Sequence, residues 1–365
     1  MKRNVIGLTA AILLAALPAY ATNPPAVEWQ KSFVWDTAGR CVQQTRDGGH
    51  VVVGSFHPGD ILSGGIYSDV FLWKTDPAGN TQWWRCYGGP RYDWANTVRQ
   101  TDDGGYVIGG SSYDDDSAGT AGGTKGVIIK VDPLGNQVWR YADHSLPFVT
   151  DVAQTRDGGY AVTGCWSGFD NVRLSKFTAQ GNLVWSTALP ASYSENWADG
   201  DPPLQQTCDG GYIIAVEALL KTDSTGQLEW KKTYPDVTVF FSVQQTADGG
   251  FVATGMGPTP LVPWHSRNLI LLRTDSLGNK LWMQRYRGDS QSWGLCVRET
   301  WDGGFFITGY SGDPWLLRTN SQGALSWAKT LSLRDYAEWG EPTADGGYIV
   351  SAGLYLIKLE SDRWR

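Results

Sequence analysis

The sequence predicts an all-β protein: a seven-bladed β-propeller of four-stranded antiparallel blades, its ring closed by the N-terminal strand. Three observations carry that prediction: a short turn motif written seven times, a Trp-bearing hairpin between its copies, and a lone strand ahead of the first copy. A fixed period of this size marks a repeat architecture.

The turn motif is clearest as Gln100-Thr101-Asp102-Asp103-Gly104-Gly105-Tyr106. The other six copies center on Asp47-Gly48-Gly49, Asp157-Gly158-Gly159, Asp209-Gly210-Gly211, Asp248-Gly249-Gly250, Asp302-Gly303-Gly304 and Asp345-Gly346-Gly347, each with Thr two residues before the Asp. Asp folds its carboxylate back onto backbone N–H groups, and Gly takes positive φ without a steric penalty. With apolar residues on both sides, the motif reads as a tight β-hairpin.

Taken in order, residues 1–21 read as an export signal. Lys2 and Arg3 are basic, Val5 to Leu17 is apolar, and Ala19-Tyr20-Ala21 is a small-x-small cleavage site. The expected mature chain is a single domain over 22–365, secreted or periplasmic, without a membrane span. Its first element is an unpaired strand D, Glu28 to Phe33. The second recurring hairpin appears as Phe71-Leu72-Trp73-Lys74-Thr75-Asp76-Pro77-Ala78-Gly79-Asn80 followed by Trp83. Its relatives carry Trp139, Trp185, Trp230, Trp282 and Trp327, expected to be equivalent and largely buried.

For the second repeat the expected strands are A, Ala95–Thr101; B, Tyr106–Gly110; C, Val127–Val131; and D, Gln137–Tyr141. Turn spacings run from 39 to 56 residues, the length of a four-stranded blade. A lone blade exposes two apolar faces and is stable only between neighbors. The seventh turn is followed by one more strand C, Leu356–Leu359, and then a shortened tail. Trp29 is therefore expected to complete the last blade, with Trp364 as the rival.

The chain carries a formal charge of −7, and removing Lys2 and Arg3 takes it to −9. That balance argues against nucleic acid as a partner. Forty-five Gly and 19 Trp in 365 residues describe a turn-dense, core-rich chain, expected to be a monomer. The five cysteines lack any C-x-x-C spacing, which argues against zinc and redox chemistry. Cys41 and Cys296 are expected to be buried and Cys208 exposed.

On these motifs the chain resembles the secreted bacterial and archaeal propellers built from D-G-G-Y and K-T-D-x-x-G-N-x-x-W repeats. It is more distantly similar to quinoprotein-type propeller blades, whose turn-plus-Trp docking element resembles Asp76 through Trp83. The resemblance spans Val27 to Leu359 and implies the fold, but no single activity.

In a meander the A–B and C–D turns share one face, and the D–A and B–C connections share the other. The first pair is nearly uniform, and the second varies from blade to blade. Long B–C loops are expected at 55–69, 111–126 and 255–267, and a long D–A loop at 186–203. Function sits on variable loops carried by a rigid scaffold. The candidate ligand-binding residues are Trp35, Asp36, Asp93, Trp94, Trp197, Asp199, Trp293, Asp335 and Tyr336, where strands D lead into strands A. Aromatic faces stack on sugars and carboxylates accept hydroxyl hydrogen bonds, so the expected ligand is a carbohydrate, with a partner protein beside it. The bland alternative is that the acids cap strands and the rings pack between blades.

No cofactor is expected. Asp114-Asp115-Asp116 offers oxygen ligands for calcium but lacks the spacing of a known loop. The seven cations that close strands C, Lys74, Lys130, Lys176, Lys221, Arg273, Arg318 and Lys358, are expected to pair with the seven turn acids, each half-exposed pair contributing about 0.2–1 kcal/mol. Of four histidines, His50 stands where other copies have Tyr or Phe and is expected to be structural. His57, His144 and His265 fall on the variable face. A His and a Tyr there would suit a polysaccharide lyase-like, glycan-degrading enzyme. No spacing singles out such a pair, so a binding module is the favored reading.

Overall fold

Every copy of the Thr-x-Asp-Gly-Gly motif closes a hairpin between the first two strands of a four-stranded antiparallel sheet, and there are seven such sheets. The computed structural model describes residues 23–33, 37–56, 68–89, 92–114, 123–144, 146, 148–165, 172–191, 203–258, 267–288 and 291–363. The sheets form the blades of a β-propeller. Among the described residues there is no helix, and hence none long and apolar enough to cross a membrane.

Strand A is the inner strand of each blade: Thr37–Gln44, Asp93–Gln100, Phe148–Gln154, Leu204–Gln206, Val239–Gln245, Trp293–Glu299 and Ala337–Pro342 for blades 1 to 7. In blade 2, strands B and C run Tyr106–Asp114 and Gly123–Val131, longer than expected, and strand D is Gln137–Asp143. Blade 5 is likewise extended, with strand B at Phe251–Pro258 and strand C at Arg267–Thr274. In these two blades part of the expected loop is ladder.

Blade 7 is joined from both ends of the chain. Strands Ala337–Pro342, Tyr348–Ala352 and Tyr355–Leu359 pair in order, and Val27–Ser32 adds the fourth, with Trp29 opposite Lys358. The N-terminal strand therefore closes the ring, and Trp29 holds the place for which Trp364 was the rival. Where other blades have a C–D turn, blade 7 has a chain break. Glu360 N donates to Ala26 O (3.0 Å) across it, the counterpart of Asp76 N to Asn80 O (2.9 Å) in blade 1.

Blades are coupled through strand-D tryptophans. Trp83, Trp139, Trp185, Trp230, Trp282 and Trp327 each meet the aromatic ring that opens strand B of the next blade: Tyr106, Tyr160, Tyr212, Phe251, Phe305 and Tyr348. Trp29 does the same with His50 at 5.6 Å, so the seventh contact closes the circle. Most of these indoles also lie on the C–D turn glycine of the next blade; a Cβ at Gly135 would stand 2.9 Å from Trp83. They are half-buried rather than largely buried, because strand D is the outer edge of the ring. Trp327 alone is fully buried, at 1%. The C-terminal segment covers it, and its Nε1 donates to Asp362 Oδ2 at 2.8 Å.

The turn motif shows why both glycines are needed. Gly104 has a φ of 82°, a left-handed conformation, while a Cβ at Gly105 would collide with Val131 O and Lys130 Nζ. Asp103 accepts from Thr101 Oγ1 (2.5 Å) and Gly105 N (2.9 Å) and pairs with Lys130 at 2.9 Å. Burial alone would raise the Asp103 carboxyl, but the Thr101 hydroxyl, Lys130 and the Gly105 N–H outweigh it and hold it at about 2. Asp47, Asp157, Asp209 and Asp345 stand at about 2 by the same combination. All seven turn acids pair with the cation of their own blade. The pairs are half-exposed in an uneven way: the acids are 40% to 67% exposed and the cations only 4% to 10%. Removing an acid therefore leaves a nearly buried cation.

Cys41 and Cys296 are buried and Cys208 is exposed, as the repeat positions imply. His50 is fully buried and structural. Burial first, then the nearby Lys358 and Lys74 charges, push its pKa down to about 4.

Candidate functional site on the channel and its loop-face mouth

Counting back from the turn Thr, the fifth residue of each repeat is Arg40, Asn96, Thr150, Pro202, Phe241, Leu295 or Glu338. In six of the seven strands A this residue is the extra one in a β-bulge, as between Gly39 and Cys41 or Ala95 and Thr97. A bulge leaves one residue out of the ladder and re-aims its side chain. Here the six re-aimed side chains converge around a cavity of about 60 Å³ at the loop-face end of the channel. Arg40 and Glu338 face each other at 3.5 Å on one side, and Phe241 and Leu295 make the opposite side apolar.

The apolar side runs on into an aromatic cluster. Trp293, at the start of strand A in blade 6, stacks on Tyr310 (4.8 Å, 29°) and Tyr336 (6.1 Å, 29°). Tyr310 and Tyr336 are themselves 4.6 Å apart, and the cluster packs against Phe241, Met256 and Leu295. All three rings are half-buried. Asp335 sits beside them, its Oδ1 accepting from Tyr336 N at 2.8 Å. The preceding Arg334 has a φ of 52°, the one positive value at a non-glycine among the described residues. Such a conformation costs roughly 1–2 kcal/mol and is sustained by its surroundings. Here Arg334 N donates to Asp313 Oδ1 at 2.7 Å.

The sequence-predicted residues divide. Trp293, Asp335 and Tyr336 come together. Trp94 lies apart in blade 2, half-buried and stacked on Phe148 at 6.1 Å. Asp93 is 2% exposed; it accepts from Gly89 N at 2.7 Å and pairs with Arg140 at 3.1 Å. Beside it the Asp69 carboxyl is pushed up, by burial first and then by the Asp93 charge. Trp35, Asp36, Trp197 and Asp199 lie outside the described residues, as do Asp115 and Asp116 of the calcium reading, and His57 and His265. Among the described residues no cluster of three or more His, Cys, Asp or Glu is placed to hold a metal ion.

Sequence reasoning missed Tyr310, Phe148 and the six bulge residues. The signal for the bulge set was available: in a repeat regular on both sides, that position holds a cation, an amide, a hydroxyl, two apolar residues and an acid.

Below the bulge ring, Trp339 stands where other blades carry Cys, Thr, Asp, Pro or Ser. Its indole fills the channel, with Arg99 of blade 2 and Arg298 of blade 6 over the ring at 4.7 and 4.3 Å. It lines both the upper cavity and a second one of about 180 Å³ nearer the A–B turns. A separate cavity of about 180 Å³ lies beside blade 1, lined by Phe33, Phe56, Phe71, Trp73 and Trp84. It is almost entirely apolar, and its Thr81 hydroxyl accepts from Trp73 Nε1 at 3.0 Å.

No family model matches the chain, and no curated protein matches it. Solved structures do. A streptogramin B lyase structure aligns at 13% identity over 91% of this chain and 97% of its own, with a TM-score of 0.62. A catalytically inactive virginiamycin B lyase from Staphylococcus aureus with quinupristin aligns at 10% identity over 91% and 98%, at 0.64. The Pan2 WD40 domain of Neurospora crassa aligns at 10% identity over 90% of each chain, at 0.61. At these identities the likeness is one of fold: this chain is a seven-bladed β-propeller, a fold it shares with lyases and with a WD40 domain, and the fold alone assigns no activity.

Proposed function

We propose that this propeller is an exported, monomeric binding module that takes a glycan on its loop face, across the aromatic cluster and the channel mouth. The single observation behind this reading is the continuity of Trp293, Tyr310 and Tyr336 with the bulge ring. Three stacked, half-buried rings offer a rigid apolar platform, and Asp335 offers a hydrogen-bonding group beside it. Asn96, its Nδ2 donating to Val149 O, turns an amide oxygen to the adjoining bulge cavity. That combination of a flat apolar surface with a few fixed polar groups is the general chemistry of small-ligand recognition. The strained Arg334 next to Asp335 and Tyr336 supports the same location. Trp94 with Phe148 offers a second stacking surface across the mouth. The signal segment read in residues 1–21 supports an extracytoplasmic setting, where free glycans are met. The reading calls for no cofactor.

A glycan array with the mature chain tests this reading, alongside an assay for unsaturated uronate products. Retention of a glycan without turnover is the expected result. Turnover would instead make the protein a polysaccharide lyase-like enzyme on the same face, and silence on the array with capture of a protein would make the ligand a partner protein.

A further inference from the structure

The cavity below Trp339 has a chemistry of its own. It is lined by the residue two places before the turn Thr in every blade: Gln43, Arg99, Ala153, Gln205, Gln244, Arg298 and Glu341. Three of these are glutamines with one arm already committed. Gln100 N donates to Gln43 Oε1 (2.7 Å), Glu299 N to Gln244 Oε1 (2.7 Å), and Gln245 N to Gln205 Oε1. A backbone N–H can only be received by the amide oxygen, so the position of each oxygen is fixed and the NH2 arm is the other one. Those three NH2 groups have no partner among the described residues.

The two arginines complete a donor-rich wall. Arg99 is neutralized: its Nη2 pairs with Asp151 Oδ1 at 2.9 Å, and Asp151 is further held by Thr97 Oγ1 and Leu204 N. Arg298 is not. Its Nη1 donates to Val297 O (2.7 Å) and Ser242 Oγ (3.3 Å), and among the described residues no carboxylate stands within ion-pair distance. Gln205, Gln244 and Arg298 belong to consecutive blades 4, 5 and 6, so their free donors form one arc. The opposing acid, Glu341, has one oxygen bound by Gln44 N, and burial pushes its carboxyl up toward the neutral form.

We infer that this lower chamber is a binding site for a small oxyanion of phosphate or sulfate size, held by the Arg298 guanidinium and the Gln205 and Gln244 amides. The chamber also holds the Asp151 and Glu341 carboxylates, but Asp151 is committed to Arg99, Thr97 and Leu204. Among the described residues the free amide and guanidinium donors of the arc have no acceptor facing them, and charge-assisted donors around a small polar cavity are how such anions are bound. The chamber's roughly 180 Å³ admits one tetrahedral oxyanion. The site is separate from the loop-face aromatic cluster, and Trp339 stands between the two.

Calorimetry and thermal melting with inorganic phosphate, at constant ionic strength, test the inference. The wild-type chain is expected to bind one phosphate and to melt higher as phosphate rises, in proportion to ln(1 + [L]/Kd). Arg298→Gln should weaken binding at least about tenfold, and Glu341→Gln, which keeps the oxygen that Gln44 N needs and removes the opposing acid, should tighten it about tenfold at a pH where the wild-type acid is ionized. Lys232→Gln, which removes one positive charge on an outer strand, should change nothing. If Arg298→Gln does not fold, the Glu341→Gln result decides. No saturable binding in the wild type, or equal binding in Glu341→Gln and wild type, would overturn the site. Acetate bound more tightly than phosphate would overturn its assignment to a tetrahedral anion.

Discussion

On one face of the ring, Asp47, Asp103, Asp157 and their four counterparts each cap a turn and neutralize the cation of their own blade. On the other, Arg40, Asn96, Thr150, Phe241, Leu295 and Glu338 share nothing but their place in a bulge. The first face is uniform because turn geometry and a nearly buried cation leave each position one solution. The second is varied because a bulge fixes where a side chain points without fixing what it must be. The contrast separates two jobs along a single strand A: its turn end ties blades together, and its loop end presents chemistry. At the turn end, Gln100, Gln154, Gln206, Gln245, Glu299 and Gln44 each accept from a turn N–H of the preceding blade, at 2.7 to 3.0 Å. Only Pro342 in blade 7 cannot.

If this division is right, changes on the turn side and at the outer edge cost stability, and changes on the loop side cost binding. The largest stability effect should come from closure. Deleting 27–33 removes strand D of blade 7 and the Trp29–His50 contact together, and should cost more than about 5 kcal/mol, a large share of a typical domain's stability. Chemical denaturation would show this as a lost or broadened transition; an unchanged curve would mean that another segment fills the strand.

Next come the docking tryptophans. Trp327→Ala empties a fully buried site and should cost about 3–5 kcal/mol. Trp139→Ala, at a half-buried equivalent, should cost roughly half as much, since less apolar area leaves water. Equal losses would mean that the C-terminal cover over Trp327 contributes nothing.

His50 gives the pH arm of the comparison. Its pKa falls from the ordinary 6.5 to about 4 in the fold. The folded state therefore holds the neutral ring, and the unfolded chain takes up the proton first. The contribution is fully present above pH 6.5 and is lost as pH falls toward 4, by up to about 2–3 kcal/mol. His50→Tyr restores the residue the other blades use and should flatten that window. It should leave the steeper loss below pH 4, where the turn acids protonate. A wild-type stability that is level between pH 6.5 and 4 would contradict the assignment.

The smallest of the stability effects should be at a single turn. Asp103→Ala uncaps the turn and strands Lys130, for about 1–3 kcal/mol once the exposure of the acid is allowed for. Urea denaturation would measure it, and a neutral result would make the ion pairs incidental.

The blade was legible in the sequence wherever local geometry dictates residue type. Gly104 and Gly105 are there for conformation and for space, and the Trp of strand D lies beside the cation of strand C in every blade, so motif spacing alone placed the strands. The N-terminal strand was legible because Trp29 had no hairpin partner nearby. The site was only partly legible. Trp293, Asp335 and Tyr336 stood out as aromatics and acids at strand entries, but Tyr310 joins them as the strand-B residue opposite Trp293, a pairing that the bulge at Leu295 shifts by one from what the hairpin spacing alone predicts. The bulge residues were hidden by the very register shift that makes them useful, because a two-residue alternation predicts the wrong face for them. Trp339 read as one more tryptophan, although its place in strand A, four residues before the turn Thr, separates it from the strand-D docking set.

The central claim, that the loop face binds and the turn face holds, is tested most directly by one paired measurement. Wild type and a Trp293→Ala, Tyr336→Ala double variant are applied to the same glycan array after their melting curves have been recorded. The expected result is a glycan retained by the wild type and lost by the variant, with the melting temperature nearly unchanged because the rings are half-buried at a mouth. Each lost stacking contact should remove about 0.5–1.5 kcal/mol of binding beyond its area. A folded variant that binds as the wild type does would contradict the account, as would a variant that unfolds, since the rings would then be packing between blades and nothing more.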